Sequence, residues 1–381
     1  MHNEVLIVGA GLTGAVLARQ LAEGGVPRIR VLERRAHVAG NCYTERDERS
    51  GTMIHVYGPH IFHTNDAEVW DYVRRFTKFE PFQHEVVARH KDRTFGLPVN
   101  LDTINAFFGT AMTSDEARAF IAARTLKLDR PAANAEEQAL STIGAELFDA
   151  FYKGYIAKQW SRPASDLPPS VTARLPVRFD RDTCYFGHRF QGQPRHGYTA
   201  LVEALLDHPS IDISLCCSAT RDDLTGAEQV FWSGPLDAYF GHSEGRLGYR
   251  TLRFEELRAP ETIQGRAVVN YSDPEVPWTR IAEHSYFSPW DTPSEAVAFR
   301  EYAADCGPDD EPFYPIRLLS EKQMLARYVE RARTEANVTF VGRMGTYRYI
   351  DMDAAVREAL DCAAIYFSTD TPMPRFSRDP L

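Results

Sequence analysis

The chain has few cysteines, and those it has are not organised. Cys42, Cys184, Cys216, Cys217, Cys306 and Cys362 form no Cys-x-x-Cys pair and no metal-ligand spacing, so no zinc site, other metal centre or disulfide framework is expected. A reduced, cytoplasmic setting is the natural reading. Long apolar runs are missing as well: none approaches the ~20 residues of a membrane span. A strand beginning within the first few residues leaves no room for a leader segment, so no membrane contact is expected. Positive charge is in deficit. A net charge of −10 excludes nucleic acid as a natural partner, and any anionic ligand must be met by locally placed arginines. Repeats and low-complexity tracts are absent. No pair of side-chain carboxylates and no nucleophile beside a base stands out, so the usual apparatus of side-chain covalent catalysis and glycoside hydrolysis is lacking. What remains is 381 residues, 44% hydrophobic and 25% charged, enough for a sizeable core in two or three domains.

The chain opens on Val5-Leu6-Ile7-Val8-Gly9-Ala10-Gly11-Leu12-Thr13-Gly14, followed by the helical pattern Val16-Leu17-Ala18-Leu21-Ala22 and by Glu33 at the end of a second apolar run. Gly9, Gly11 and Gly14 permit a tight turn and close backbone approach, so a pyrophosphate can meet amides of the Leu12-Thr13 helix start while Glu33 accepts ribose hydroxyls. A bland tight turn is the alternative. The next stretch, Glu33-Arg34-Arg35-Ala36-His37-Val38-Ala39-Gly40-Asn41, resembles the second signature of FAD proteins of the glutathione-reductase type, with Ala39 where glycine is frequent; otherwise it is a charged surface loop.

Residues 3 to 35 read as a βαβ unit. Met53 to Thr64 runs from a strand into a histidine-rich turn, and 85 to 98 form two short strands around Lys91-Asp92. From about 101 to 160 the spacing is helical. Pro163, Pro168, Pro169 and Pro176 then forbid a long helix over 161 to 178 and suggest an ordered excursion or a lid. Short strands dominate between about 210 and 290. Val338 to Arg343 reads as a last strand, and Asp351-Met352-Asp353 as the start of a last helix. If that helix start points at a flavin, its dipole stabilises the charge that reduction adds; otherwise Asp351 or Asp353 simply caps a packed helix.

Phe148, Phe151, Tyr152, Tyr155 and Trp160 fall close together, with Phe151 and Tyr155 at helical i,i+4 spacing. Such a cluster is commonly core. Its tyrosines and tryptophan, the neighbouring proline-rich loop, Arg174 and Arg280, and Tyr185, Tyr314 and Tyr349 together also suit a nucleoside diphosphate: aromatic faces take the base and guanidinium groups the phosphates.

Taken with the opening fingerprint, Tyr57-Gly58-Pro59-His60-Ile61-Phe62-His63-Thr64, Leu97-Pro98-Val99-Asn100, Phe151-Tyr152-Lys153-Gly154-Tyr155, Lys158-Gln159-Trp160 and Gly342-Arg343-Met344-Gly345-Thr346-Tyr347-Arg348-Tyr349-Ile350-Asp351-Met352-Asp353 resemble the bacterial UDP-galactopyranose mutases. The resemblance implies an α/β fold: a Rossmann-like FAD-binding domain of the glutathione-reductase type with an inserted helical domain and a twisted antiparallel β-sheet domain. The expected domains are 1–78 with about 195–240 and 320–381 for FAD; about 100–165 for helices, with a mobile loop at 161–178; and about 79–99, 179–194 and 241–319 for the sheet.

It further implies that Gly9, Gly11, Leu12, Thr13, Gly14, Glu33, Arg34, Gly40, Asn41, His60, Ile61, Arg343, Tyr349, Asp351 and Met352 hold FAD. Substrate would be met by His84, Phe151, Tyr155, Trp160, Arg174, Tyr185, Asn270, Arg280, Tyr314 and Tyr349. His63 reads equally as a packed structural histidine. Arg174, Arg280 and His60 are the expected catalytic residues. The implied reaction interconverts UDP-galactopyranose and UDP-galactofuranose with no net redox change, N5 of reduced FAD acting as nucleophile at the sugar C1. NAD(P)H or a reductase would supply electrons, the product would feed cell-surface glycans, and the protein would be a homo-oligomer, a dimer or a multiple of one. Two alternatives share the same opening fingerprint, an amine-oxidase-like flavin oxidoreductase and a non-catalytic binder.

Overall fold

The computed structural model describes residues 4–173, 177–318 and 321–381. Five parallel strands form its first sheet, in the order Ile211–Ser214, Arg28–Leu32, Glu4–Val8, Gln229–Trp232, Val338–Phe340. The apolar run Val5-Leu6-Ile7-Val8 is at the centre with both faces covered, which is why it reads as continuous rather than alternating. One face is packed by Leu12–Glu23, itself covered by Met352–Phe367 and Gly197–Leu206. The opposite face buries Trp232, Tyr239, Tyr328 and Phe340.

A second, seven-stranded sheet runs Tyr314–Pro315, Tyr249–Ala259, Ala296–Asp305, Arg280–Glu283, Val268–Tyr271, Val86–His90, Arg93–Leu97. Its pairs are antiparallel except for Val268–Tyr271 against Val86–His90, which run parallel. Short strands dominate between 210 and 290 as expected, each of 4 residues except Tyr249–Ala259, which has 11. A small antiparallel sheet, Phe62–Thr64, Phe190–Pro194 and Phe79–Pro81, packs against Met352–Phe367 and Gly197–Leu206.

Between the two strands at 93–97 and 268–271, in sequence, lies a run of helices. Asn100 caps Leu101–Phe108 through its side chain, and Gly109, at φ 67°, ends it. Thr113 and Glu116 form a reciprocal capping box on Ser114–Ala122. Further on, Asp149–Lys153 forms a π-turn that leads into Gly154–Trp160. Phe151 and Tyr155 still share a side across this turn, a local widening often found at functional sites. Among its described residues the proline-bearing segment holds a short 3₁₀ turn at Ala164–Asp166 and one turn of helix at Ser170–Ala173.

Candidate functional site

Gly9 and Gly11 make the sharp turn between the central strand and its helix. At Gly9 the backbone has φ 102°, and a Cβ there would lie 2.1 Å from Ser233 Oγ. Gly14 plays a different part from the one expected: it does not line the cavity, and its Cβ would lie 2.0 Å from Gly9 O, so it is the contact that lets helix approach turn. The helix N-terminus at Gly11 has no side-chain cap and no acid in its first turn, which leaves its amides open to an anion. Glu33 is buried and accepts from the amides of Ala10 and Arg35, both at 2.9 Å; each carboxylate oxygen keeps a lone pair for a ribose hydroxyl.

These groups line a cavity of about 470 Å³ that continues past Arg34, Gly40 and Asn41 to His60, Arg343, Asp351 and Met352. Arg35, absent from the expected set, also lines it. The Arg35 side chain is 12% exposed against 50% for Arg34, holds Asn41 Oδ1 at 2.6 Å, and has a buried Nη1 without a hydrogen-bond partner. The chain bends over 34–38 just past the strand, and this turn, with the Arg35 amide on Glu33, brings the Arg35 side chain to the cavity. An orphan guanidinium nitrogen, an open helix end and a ribose acceptor suit the anionic, dihydroxylated body of FAD.

At the far end, Met352–Phe367 points its N-terminus into the junction of this cavity with a second. Asp351 is its N-cap by backbone position but makes no side-chain capping bond, so capping does not explain the acid. Arg343 donates to Ile350 O at 2.7 Å and lies over the rings of Tyr314 and Tyr349.

The second cavity, about 360 Å³, shares His60, Arg343, Asp351 and Met352 with the first. Every expected substrate residue within the described chain lines it: His84, Phe151, Tyr155, Trp160, Tyr185, Asn270, Arg280, Tyr314 and Tyr349. Arg174 lies outside the described residues. Ile61 and Tyr349, expected against the cofactor, line only the second cavity, because both fall beyond the shared junction. Gln159 and His188 line it unforeseen; His188 follows the proline-bearing segment with nothing in its local pattern to mark it.

Arg280 is the focus of charge here. Its Nε and Nη2 both donate to Glu301 Oε2 at 2.8 Å, while buried Glu301 Oε1 has no hydrogen-bond partner. Burial works against the guanidinium charge, but Glu301 and the Tyr155 and Tyr314 hydroxyls outweigh it, and the pKa rises. Burial likewise raises the Tyr155 and Tyr314 hydroxyls, so both stay protonated donors. The Tyr314 and Tyr349 rings stack with centroids 5.4 Å apart.

His60 is kept neutral. Burial, then the nearby Arg343 charge, lowers its pKa to about 4. Its Nδ1 donates to Gly58 O at 2.9 Å, so Nε2 carries a lone pair. Burial also lowers His84 to about 3. His63 Nδ1 lies 3.0 Å from His188 Nδ1 and its ring stacks on Phe186, so it both packs and borders the cavity.

A glycine turn on a parallel sheet, opening on a long anion-ready cavity that meets an aromatic and arginine-bearing one, defines a dinucleotide-binding protein of the Rossmann-like class. Residues 7–76 match the family described as NAD(P)-binding Rossmann-like domain, and residues 150–349 match the family described as UDP-galactopyranose mutase. A probable UDP-galactopyranose mutase of Klebsiella pneumoniae is 47% identical over 370 residues, covering 97% of this chain and 96% of its own. The dTDP-fucopyranose mutase of Escherichia coli is 43% identical over 375 residues, covering 97% and 99%. A solved structure of reduced UDP-galactopyranose mutase superposes with a TM-score of 0.79 at 15% identity, covering 100% of this chain and 97% of that one, a likeness of fold. The chain belongs to the UDP-galactopyranose mutase family.

Proposed function

We propose that the protein interconverts UDP-galactopyranose and UDP-galactofuranose, with FAD in its reduced state in the larger cavity. The observation that carries this is the junction of the two cavities at His60, Arg343, Asp351 and Met352, which sets the reacting part of a cofactor against the sugar end of a nucleotide sugar. Glu33 and the Gly11 helix end hold the ribose and pyrophosphate, with Arg35 beside them. The open Met352 helix end favours the negative charge of a reduced flavin, an effect of ~0.3–1 kcal/mol when exposed and more when buried.

When bound and reduced, the flavin supplies the nucleophile that this chain's side chains lack. Phe151 and Tyr155 hold the base, with Trp160 at the border. Arg280, Tyr314, Tyr349 and Tyr185 hold the diphosphate, and Arg280 meets the negative charge that grows on it as the anomeric bond breaks. Arg174, from the proline-bearing segment, is our second diphosphate contact, while Asn270 and His84 face the sugar. His60, neutral and fixed by Gly58, offers a lone pair at the junction without adding charge.

We read the chain as a discontinuous cofactor domain (1–78, about 195–240, 320–381), helices at about 100–165 with the loop 161–178, and a substrate sheet at about 79–99, 179–194 and 241–319. No helix among the described residues is long and apolar enough to cross a membrane. Our reading places the enzyme in the cytoplasm as a homo-oligomer, reduced by NAD(P)H or a reductase and supplying galactofuranose for surface glycans. The fucopyranose mutase relative defines the competing substrate, and assaying dTDP-fucopyranose beside UDP-galactopyranose decides between them. Preferential turnover of the dTDP sugar would overturn the assignment.

A further inference from the structure

Asn270 and Arg280 line the second cavity from a single hairpin. Asn270 and Arg280 are paired across Val268–Tyr271 and Arg280–Glu283, and residues 272–279 between them form a loop interrupted by Pro274 and Pro277. Three of its carbonyls, with that of Tyr271 at the end of the strand, turn toward one point. Their lone pairs would repel one another if that point were empty, and it is filled by the Lys158 ammonium: Nζ lies 2.7 Å from Tyr271 O, 3.1 Å from Asp273 O, 2.9 Å from Val276 O and 3.1 Å from Trp278 O.

An ammonium has three N–H groups, so the four carbonyls share it much as oxygen ligands share a cation. Among the described residues no carboxylate forms an ion pair with Lys158. The nearby carboxylate Asp273 is instead engaged by His90 Nδ1 at 2.7 Å and by the Lys91 amide at 2.6 Å.

Lys158 sits on the helix Gly154–Trp160, whose two sides divide the work. Gly154 and Lys158, at i and i+4, face the loop; a Cβ on Gly154 would lie 2.0 Å from Ser272 O. Tyr155 and Gln159, one position on, line the cavity. A single turn and a half of helix therefore holds the base-binding tyrosine on one side and grips the Arg280 loop on the other.

We propose that Lys158 is a positioning residue: its ammonium fixes the 272–279 loop, so the helix that holds the nucleoside and the Arg280 that holds the diphosphate move as one body. This rests on reading the second cavity as a nucleotide-sugar site. Lys158 itself touches no substrate.

The test is calorimetric titration of UDP into the FAD-replete holoenzyme and its Lys158→Met and Lys158→Gln variants, with steady-state kinetics after dithionite reduction. Both variants are expected to weaken UDP binding and raise KM by about tenfold or more, as loss of a charged hydrogen-bond donor implies. Flavin content should stay near wild type and saturated kcat should change less than KM, while the melting midpoint falls because the four carbonyls lose their shared donor. The Gln variant, which keeps two donors, is read if the Met variant does not fold. Unchanged UDP affinity, or a kcat and flavin content that fall in step with affinity, overturns the proposal. Wild-type turnover is read separately: lost UDP affinity in the variants of a protein that converts no sugar would leave Lys158 in its role and overturn the mutase assignment.

Discussion

Arg280 shows how one residue can be both visible in a sequence and incompletely understood from it. An arginine suited to a diphosphate could be nominated; the buried carboxylate of Glu301 that aims it could not, because the two meet only through strand pairing. Replacing Arg280 with Ala removes the diphosphate contact and also leaves Glu301 buried without its counter-ion, a loss of about 3–5 kcal/mol. Arg280→Lys retains a charge for Glu301 but not the planar donor pair. The Lys variant is expected to lose roughly 10²-fold in kcat/KM with flavin absorbance unchanged and only a small drop in melting temperature, whereas the Ala variant loses both activity and stability. Arg174→Ala should lower turnover with flavin content intact; wild-type kinetics in either arginine variant would remove that arginine from the mechanism. Arg35 was not legible, because a bend past the strand and not strand alternation brings it to the cavity beside the more exposed Arg34.

Elements are where sequence pattern was most informative about type and least about partners. The first βαβ unit is readable because its apolar strands, glycine turn and apolar helix each obey a local rule. The parallel pairing of Val86–His90 with Val268–Tyr271 follows no local rule, since periodicity says that a strand exists and not what it lies against. The π-turn at Asp149–Lys153 was hidden for a related reason: i,i+4 aromatic spacing looks the same whether or not a residue is inserted into the ladder.

At this scale the glycine turn gives a sharp prediction. Gly14→Ala places a methyl 2.0 Å from Gly9 O, so the helix must shift from the turn that presents its amides. The variant should purify with little flavin and be destabilised by about 1–3 kcal/mol, read by absorbance and denaturant titration. A yellow, fully stable Gly14→Ala protein would show that the close approach is not required.

Across the whole molecule, the buried histidines tie stability to pH. Burial lowers the pKa of His60 to about 4 and of His84 and His284 to about 3, and holds His55 well below its ordinary value, with His284 as its next contributor. Unfolded, each titrates near 6.5, so between that pH and about 4 the unfolded chain binds more protons than the folded one. Stability from these groups is therefore fully present above about 6.5 and is lost as pH falls toward 4. Thermal melts should show a midpoint dropping over that interval, with a shallower slope in His284→Asn; a flat profile would contradict neutral burial.

The central claim is that the two cavities meet so that a reduced flavin can act on a nucleotide sugar without net redox change. The most direct test is anaerobic conversion of UDP-galactofuranose to UDP-galactopyranose, followed by chromatography with the oxidised protein and again after dithionite reduction. The account predicts conversion after reduction alone, over many turnovers, with the flavin still reduced at the end. No conversion by a fully reduced, FAD-replete protein, or flavin oxidation matching each sugar consumed, would contradict it.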